Sequence, residues 1–173
     1  MRLHPAIATV LLLPLFLGHA AAHADEKLHE QIQRVTEGFA KIGSFKSTLS
    51  NGGNGGERST VMRRHGIEIA DDGVFRYTER LIGDDDHTLT KRYSGNLRDL
   101  AIDEEERIEG PGADNALAIT AWCDPRGSKC IADADNPSNR SALLILRVRD
   151  NAPAAVAWRR DLAKLARAFK AQK

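Results

Sequence analysis

The stretch Val61-Met62-Arg63-Arg64-His65-Gly66-Ile67-Glu68-Ile69-Ala70-Asp71-Asp72-Gly73-Val74-Phe75-Arg76-Tyr77-Thr78-Glu79-Arg80-Leu81 decides the fold class. Val61, Ile67 and Ile69 share one parity. In the next run Phe75, Tyr77 and Leu81 face one side, while Arg76, Thr78 and Arg80 face the other. A period of two is the mark of a half-buried strand. Asp71-Asp72-Gly73 sits between the two runs and is a hairpin signal. The segment therefore reads as two antiparallel strands.

The same alternation continues downstream. Gly83-Asp84-Asp85-Asp86 makes a second turn, leading into a strand over Thr88 to Tyr93. Ser94-Gly95-Asn96 turns again before Leu97 to Ile102, and an acidic, Gly/Pro-rich excursion runs from Asp103 to Asp114. Leu117, Ile119, Ala121 and Cys123 alternate, and a return strand holds Cys130 and Ile131. Leu143 to Val148 is nearly continuously apolar, the pattern of a central strand buried on both faces. Upstream, Asn51-Gly52-Gly53-Asn54-Gly55-Gly56 reads as a loop between strands.

Helical spacing brackets this β-rich region. Leu28, Ile32, Val35, Phe39 and Ile42 recur at steps of four, three, four and three, and Gly43 follows as a stop signal. Trp158, Leu162, Leu165 and Phe169 repeat the pattern, with Asn151 as a cap and Pro153 in the first turn. Arg159, Arg160, Lys164, Arg167 and Lys170 read as the opposite, basic face, with Asp161 interrupting it. The helix is expected to pack its apolar stripe on a sheet and turn its charges to water.

The expected fold class is α+β. About seven antiparallel strands form a curved sheet or open barrel, with an N-terminal helix and a C-terminal amphipathic helix capping one end. The order of elements from Ser44 to Lys170 resembles the pleckstrin-homology-like scaffold. The resemblance lies in element order alone, and it implies two roughly orthogonal sheets followed by a helix. It implies no function, because one scaffold hosts many.

Residues 1–24 read as a cleavable signal peptide. Arg2 supplies the positive end, Ala6 to Leu17 the apolar core, and Ala22-His23-Ala24 the small residues at the cleavage point. About 12 apolar residues interrupted by Pro14 fall short of the roughly 20 that a spanning helix needs. The expected organisation is then 1–24 signal, 25–43 N-terminal helix and 44–173 one β-rich domain ending in a helix. A periplasmic or secreted location follows. Removing 24 of the 173 residues leaves 149, with 24 basic and 24 acidic side chains. A nucleic-acid partner is not expected, since such proteins carry a clear positive excess.

Cys123 and Cys130 are the two cysteines, and an even pair in an exported chain reads as a disulfide. Closing that short loop is worth roughly 2.5 kcal/mol in the chain-entropy model. The spacing is not that of a thiol oxidoreductase.

Candidate chemistry is thin. His87 beside Asp84-Asp85-Asp86 could attract a divalent cation, but adjacent residues in a turn cannot all aim at one ion. Asp133, Asp135, Asn136 and Asn139 are oxygen-rich, yet against a calcium loop Ser138 stands where glycine belongs and Leu144 where glutamate does. The acids Asp103-Glu104-Glu105-Glu106 lie on one loop, whereas glycoside hydrolysis needs two from opposite walls. His29, His65 and His87 have no adjacent nucleophile motif. Asn139-Arg140-Ser141 fits a glycosylation sequon, relevant only in a eukaryotic host. No metal, cofactor or catalytic residue is assigned.

The expectation is an exported, non-enzymatic interaction or binding domain for an unknown protein or small ligand. The contact surface drawn from the sequence comprises Arg63, Arg64, His65, Arg76 and Arg80, facing an acidic partner and offset by Glu68 and Glu79. A carrier of a small apolar ligand, held between sheet and helix, is the alternative. An unrecognised hydrolase working through His65 or His87 is the third reading.

Overall fold

A computed structural model describes residues 15–50, 58–83, 87–105, 108 and 116–172. The elements are α1 (Leu15–Ile42), β1 (Ser44–Ser50), β2 (Arg58–Ile69), β3 (Val74–Ile82), β4 (Thr88–Asn96), a 3-10 turn (Leu97–Asp99), β5 (Leu100–Ala101), β6 (Ala116–Cys123), β7 (Ile131–Asp133), β8 (Arg140–Ser141), β9 (Leu143–Arg149) and α2 (Ala152–Ala171). The helix α1 runs through the expected cleavage point at Ala24, and the Asn51–Gly56 loop lies outside the described residues.

Each helix folds as its apolar period demands. Leu28, Ile32, Val35, Phe39 and Ile42 are all buried. Gly43 ends α1: its amide donates to the Phe39 carbonyl at 2.7 Å, and its own carbonyl accepts from His65 at 2.8 Å. A Cβ at Gly43 would stand 2.8 Å from the His65 carbonyl oxygen, so no larger residue fits this close approach. On α2, the Asn151 side chain accepts from the Ala154 amide, and Trp158, Leu162, Leu165 and Phe169 are buried. Trp158 Nε1 donates to the Val35 carbonyl at 2.8 Å, tying the two helices together. Arg159 departs from the expected basic face. It is buried, and its guanidinium donates to the Glu104 carbonyl at 2.6 Å, while Arg167 pairs with the Glu104 carboxylate. The acidic loop is thus partly an anchor for α2.

The strands pair antiparallel throughout, in a six-stranded sheet ordered β1-β2-β3-β4-β7-β8 and a three-stranded sheet ordered β5-β6-β9. The β2–β3 hairpin turns at Asp71-Asp72-Gly73, where Gly73 has φ +84°. The chain passes from the large sheet to the small one through the 3-10 turn, which the Asn96 side chain caps by accepting from Arg98.

The α+β class, the two helices and the antiparallel pairing are as expected, but the described strands divide between two sheets. No closed barrel forms among the described strands, and the pairing does not confirm the pleckstrin-homology-like order. The Cys123–Cys130 sulfurs lie at disulfide distance, yet β6 and β7 are not hairpin partners. The pair instead joins the end of a strand in the small sheet to the start of one in the large sheet. Nor is β9 central. It is an edge strand with Leu144, Leu146 and Val148 buried and Ile145 45% exposed. Its continuous apolarity serves a packed face and an open one.

One core unites all layers. Phe39, Phe75, Tyr77, Leu97, Ile119, Leu146, Leu165 and Phe169 are almost wholly inaccessible. The space between α2 and the sheets is filled by these side chains. Among the described residues, no helix is long and apolar enough to cross a membrane.

Candidate functional site

The alternation of β2 sends Val61, Arg63, His65 and Ile67 to one face and Arg64, Gly66 and Glu68 to the other. Adjacent residues cannot share a face, so the five positions of the expected contact surface separate. Arg63 and His65 are buried at 5% exposure each, whereas Arg64, Arg76 and Arg80 are exposed on the outer face. The parity of Val61 and Ile67 already carried this information. Glu79, expected to offset the surface cations, instead shares the inward parity of Phe75, Tyr77 and Leu81.

On the inner face the polar residues form one connected cluster. Arg63 donates to the Glu79 carboxylate at 3.0 Å, with the two side chains 6% and 16% exposed. His65 Nδ1 forms a short hydrogen bond with the Tyr77 hydroxyl, and Phe45 stacks on the imidazole. Tyr77 stacks in turn on Tyr93. The second imidazole nitrogen is Nε2. That nitrogen is buried without a hydrogen-bond partner, 3.9 Å from Glu79 Oε1.

Burial governs the ionisation of these groups. Desolvation, then the charges of Arg63 and Arg147, push His65 down to about 4. Burial, followed by the Glu79 charge, raises Tyr77 far above the usual phenol range, and the same two causes raise Tyr93. His65 is therefore neutral at physiological pH.

The sign of the resulting pH dependence follows from linkage. The unfolded chain binds a proton at His65 near pH 6.5 and the folded chain only near 4. The His65 contribution is constant above about pH 7 and turns against folding as pH falls through this window, by about 3 kcal/mol in all. In His65→Gln, which removes the titrating imidazole, the melting temperature should fall less steeply between pH 6.5 and 4 than in the wild type. Parallel slopes in thermal melts of the two proteins would rule out this linkage.

Beside the cluster the sheets splay apart. A cleft of about 670 Å³ opens between the inner face of β3–β4 and the odd-numbered face of β9. Leu81, Leu143 and Ile145 give it an apolar wall; Arg63, Glu79, Lys91, Tyr93, Arg140 and Arg147 give it a polar one. Leu89, cross-strand from Leu81 and 52% exposed, extends the apolar side. The volume lies in the range of small-molecule sites. At one end the two edges meet, where Arg149 donates to the Ser44 carbonyl at 3.0 Å.

The remaining sequence candidates lie elsewhere. Asp133 Oδ1 accepts from the Asp135 and Asn136 amides, and Ser138 donates to Asn136 Oδ1, so these oxygens serve a turn. His87 is exposed beside Asp84–Asp86, which lie outside the described residues, as does Glu106. Asp103 accepts from the Glu105 amide. Among the described residues, no group of three or more histidine, cysteine and acidic side chains is placed to hold a metal ion. Compared with known proteins, the chain matches no protein-family model, no curated protein and no solved structure.

Proposed function

We propose that this chain is an exported, non-enzymatic binding domain that takes an amphipathic ligand, an apolar body with an anionic end, in the cleft between its two sheets. One observation carries the reading: exposed Ile145, with Leu81 and Leu143, lines a space whose other wall carries Lys91, Arg140 and Arg147. Four cations against Glu79 as the single acid favour an anionic end, and Arg63 is already engaged with that acid. Export rests on the reading of residues 1–24 and is supported by the Cys123–Cys130 pair. A role without turnover is supported by His65. Its side chain is inaccessible and its Nδ1 is engaged with the Tyr77 hydroxyl, so it offers no base to a ligand.

Titration with 1-anilinonaphthalene-8-sulfonate, an apolar ring system carrying one sulfonate, tests this directly. Saturable binding competed by dodecanoate is expected, with affinity lowered about tenfold in Ile145→Asp through loss of one buried aliphatic contact. Binding that is absent, or unchanged in the variant, overturns the proposal. A second reading has its own observation: β9 pairs with β6 alone among the described residues, leaving an edge on which a protein partner could add a strand. A photo-crosslinker at Ile145 that captures a protein, with no dye displacement by dodecanoate, would favour that reading.

A further inference from the structure

We propose that the outer face of β2 and β3, opposite the cleft, holds a site for a compact dianionic oxyanion, a phosphomonoester or pyrophosphate group. A shallow hollow of about 340 Å³ lies there, walled by Arg64, Arg76, Arg80 and Glu68. The register explains its shape. Arg64 stands directly opposite Arg80, Glu68 opposite Arg76, and between those rows Gly66 stands opposite Thr78. A row of two arginines and a row pairing Glu68 with Arg76 thus flank a floor of the smallest residue and a hydroxyl.

Three features point to a ligand rather than to solvated side chains. First, like charges directly opposite each other on neighbouring strands disfavour the sheet, yet Arg64 and Arg80 occupy such a pair. Second, among the described residues none of Arg64, Arg76 and Arg80 makes an ion pair, whereas nearby Arg92 is held by Asp135 at 3.3 Å. Third, glycine at position 66 has no local cause. Its φ is ordinary, and an added Cβ would meet no atom within 4 Å. Glycine weakens a strand interior, and one common reason to keep it is close approach of another group to the backbone. Glu68 leaves the hollow with two net positive charges, which a dianion matches. Guanidinium forks suit tetrahedral oxyanions because they donate two parallel hydrogen bonds.

The test uses the whole protein at low salt, with two probes. Calorimetric titration with sodium pyrophosphate reads a free phosphate group. Sedimentation with phosphatidylcholine vesicles doped with phosphatidic acid, against plain vesicles, reads the same group on a lipid surface. At least one probe is expected to bind, about tenfold more weakly in Arg64→Ser/Arg80→Ser and more weakly as salt rises. Gly66→Val should fill the hollow and abolish binding while keeping or raising the melting temperature, since a β-branched residue suits an exposed strand position. Pyrophosphate binding assigns the site to a soluble ligand, and vesicle binding alone assigns it to a headgroup. Absence of binding to both probes, or equal binding by wild type and both variants, overturns the proposal. So does tighter binding of poly-glutamate that Gly66→Val leaves unchanged, which would make the face a general dock for acidic protein. The site stands apart from the inter-sheet cleft, so failure in one assay leaves the other reading intact.

Discussion

Replacing Phe39 by alanine is expected to destabilise the protein by about 3–5 kcal/mol. Phe39 is 0% exposed and packs with Trp158 at a centroid distance of 4.8 Å and edge-on to Tyr77 at 6.1 Å. Its ring joins α1, α2 and the large sheet, so truncation leaves a void facing three elements that cannot all collapse inward. For a chain of this size the loss corresponds to a melting temperature lower by roughly 10 °C or more. Lys41→Ala, on the exposed side of the same helix, should change stability by no more than about 0.5 kcal/mol. Thermal melts of the two variants decide the matter. If Phe39→Ala melts within about 2 °C of wild type, α1 is not docked on the core in solution, since a buried ring cannot be removed at so small a cost.

The second large effect is expected at Glu79. Its carboxylate accepts from Arg63 and faces His65 across β2 and Lys91 across β4. Glu79→Ala takes the acid from a nearly buried pair and leaves the Arg63 charge inside, a change that costs about 3–5 kcal/mol. Removing both partners, in Arg63→Met/Glu79→Ala, should cost less than the single change, because the inward-facing charge goes with its acid. Denaturant unfolding of the single and double variants measures this ordering. A double variant less stable than Glu79→Ala would mean that Arg63 contributes mainly by packing its stem. The same substitution removes the acid from the cleft wall and should strengthen binding of the sulfonate dye.

These two residues mark the boundary of what could be read locally. Phe39 was legible as a core position because a helix repeats its inward face every three to four residues, and that period is written in the chain. The same holds for the α2 stripe, the Asn151 cap and the Asp71-Asp72-Gly73 hairpin. The inner-face cluster was legible in principle. Arg63 and His65 share the parity of Val61 and Ile67, and Glu79 that of Tyr77. Charge on those side chains outweighed parity in assigning them to the surface, although strand geometry is the stronger constraint. Arg159 departs from the basic face for the same reason: its helical position faces the acidic loop, whose Glu104 carbonyl accepts from its guanidinium.

Local pattern alone determined that this is an α+β chain, where the buried stripes of its helices and the β2–β3–β4 hairpins lie, and that its two cysteines could bridge a short turn. Each of these depends on neighbours a few residues apart, whose geometry the backbone sets directly. Tertiary structure alone decided that the strands divide into two sheets, that the cysteine pair links them, and that β9 is an edge. It also opened the cleft beside Ile145 and aligned Arg64 with Arg80 around Gly66. Those outcomes rest on contacts between segments far apart in the chain. The free energy of such contacts depends on what each face meets, and a strand's own alternation says only that it has two faces.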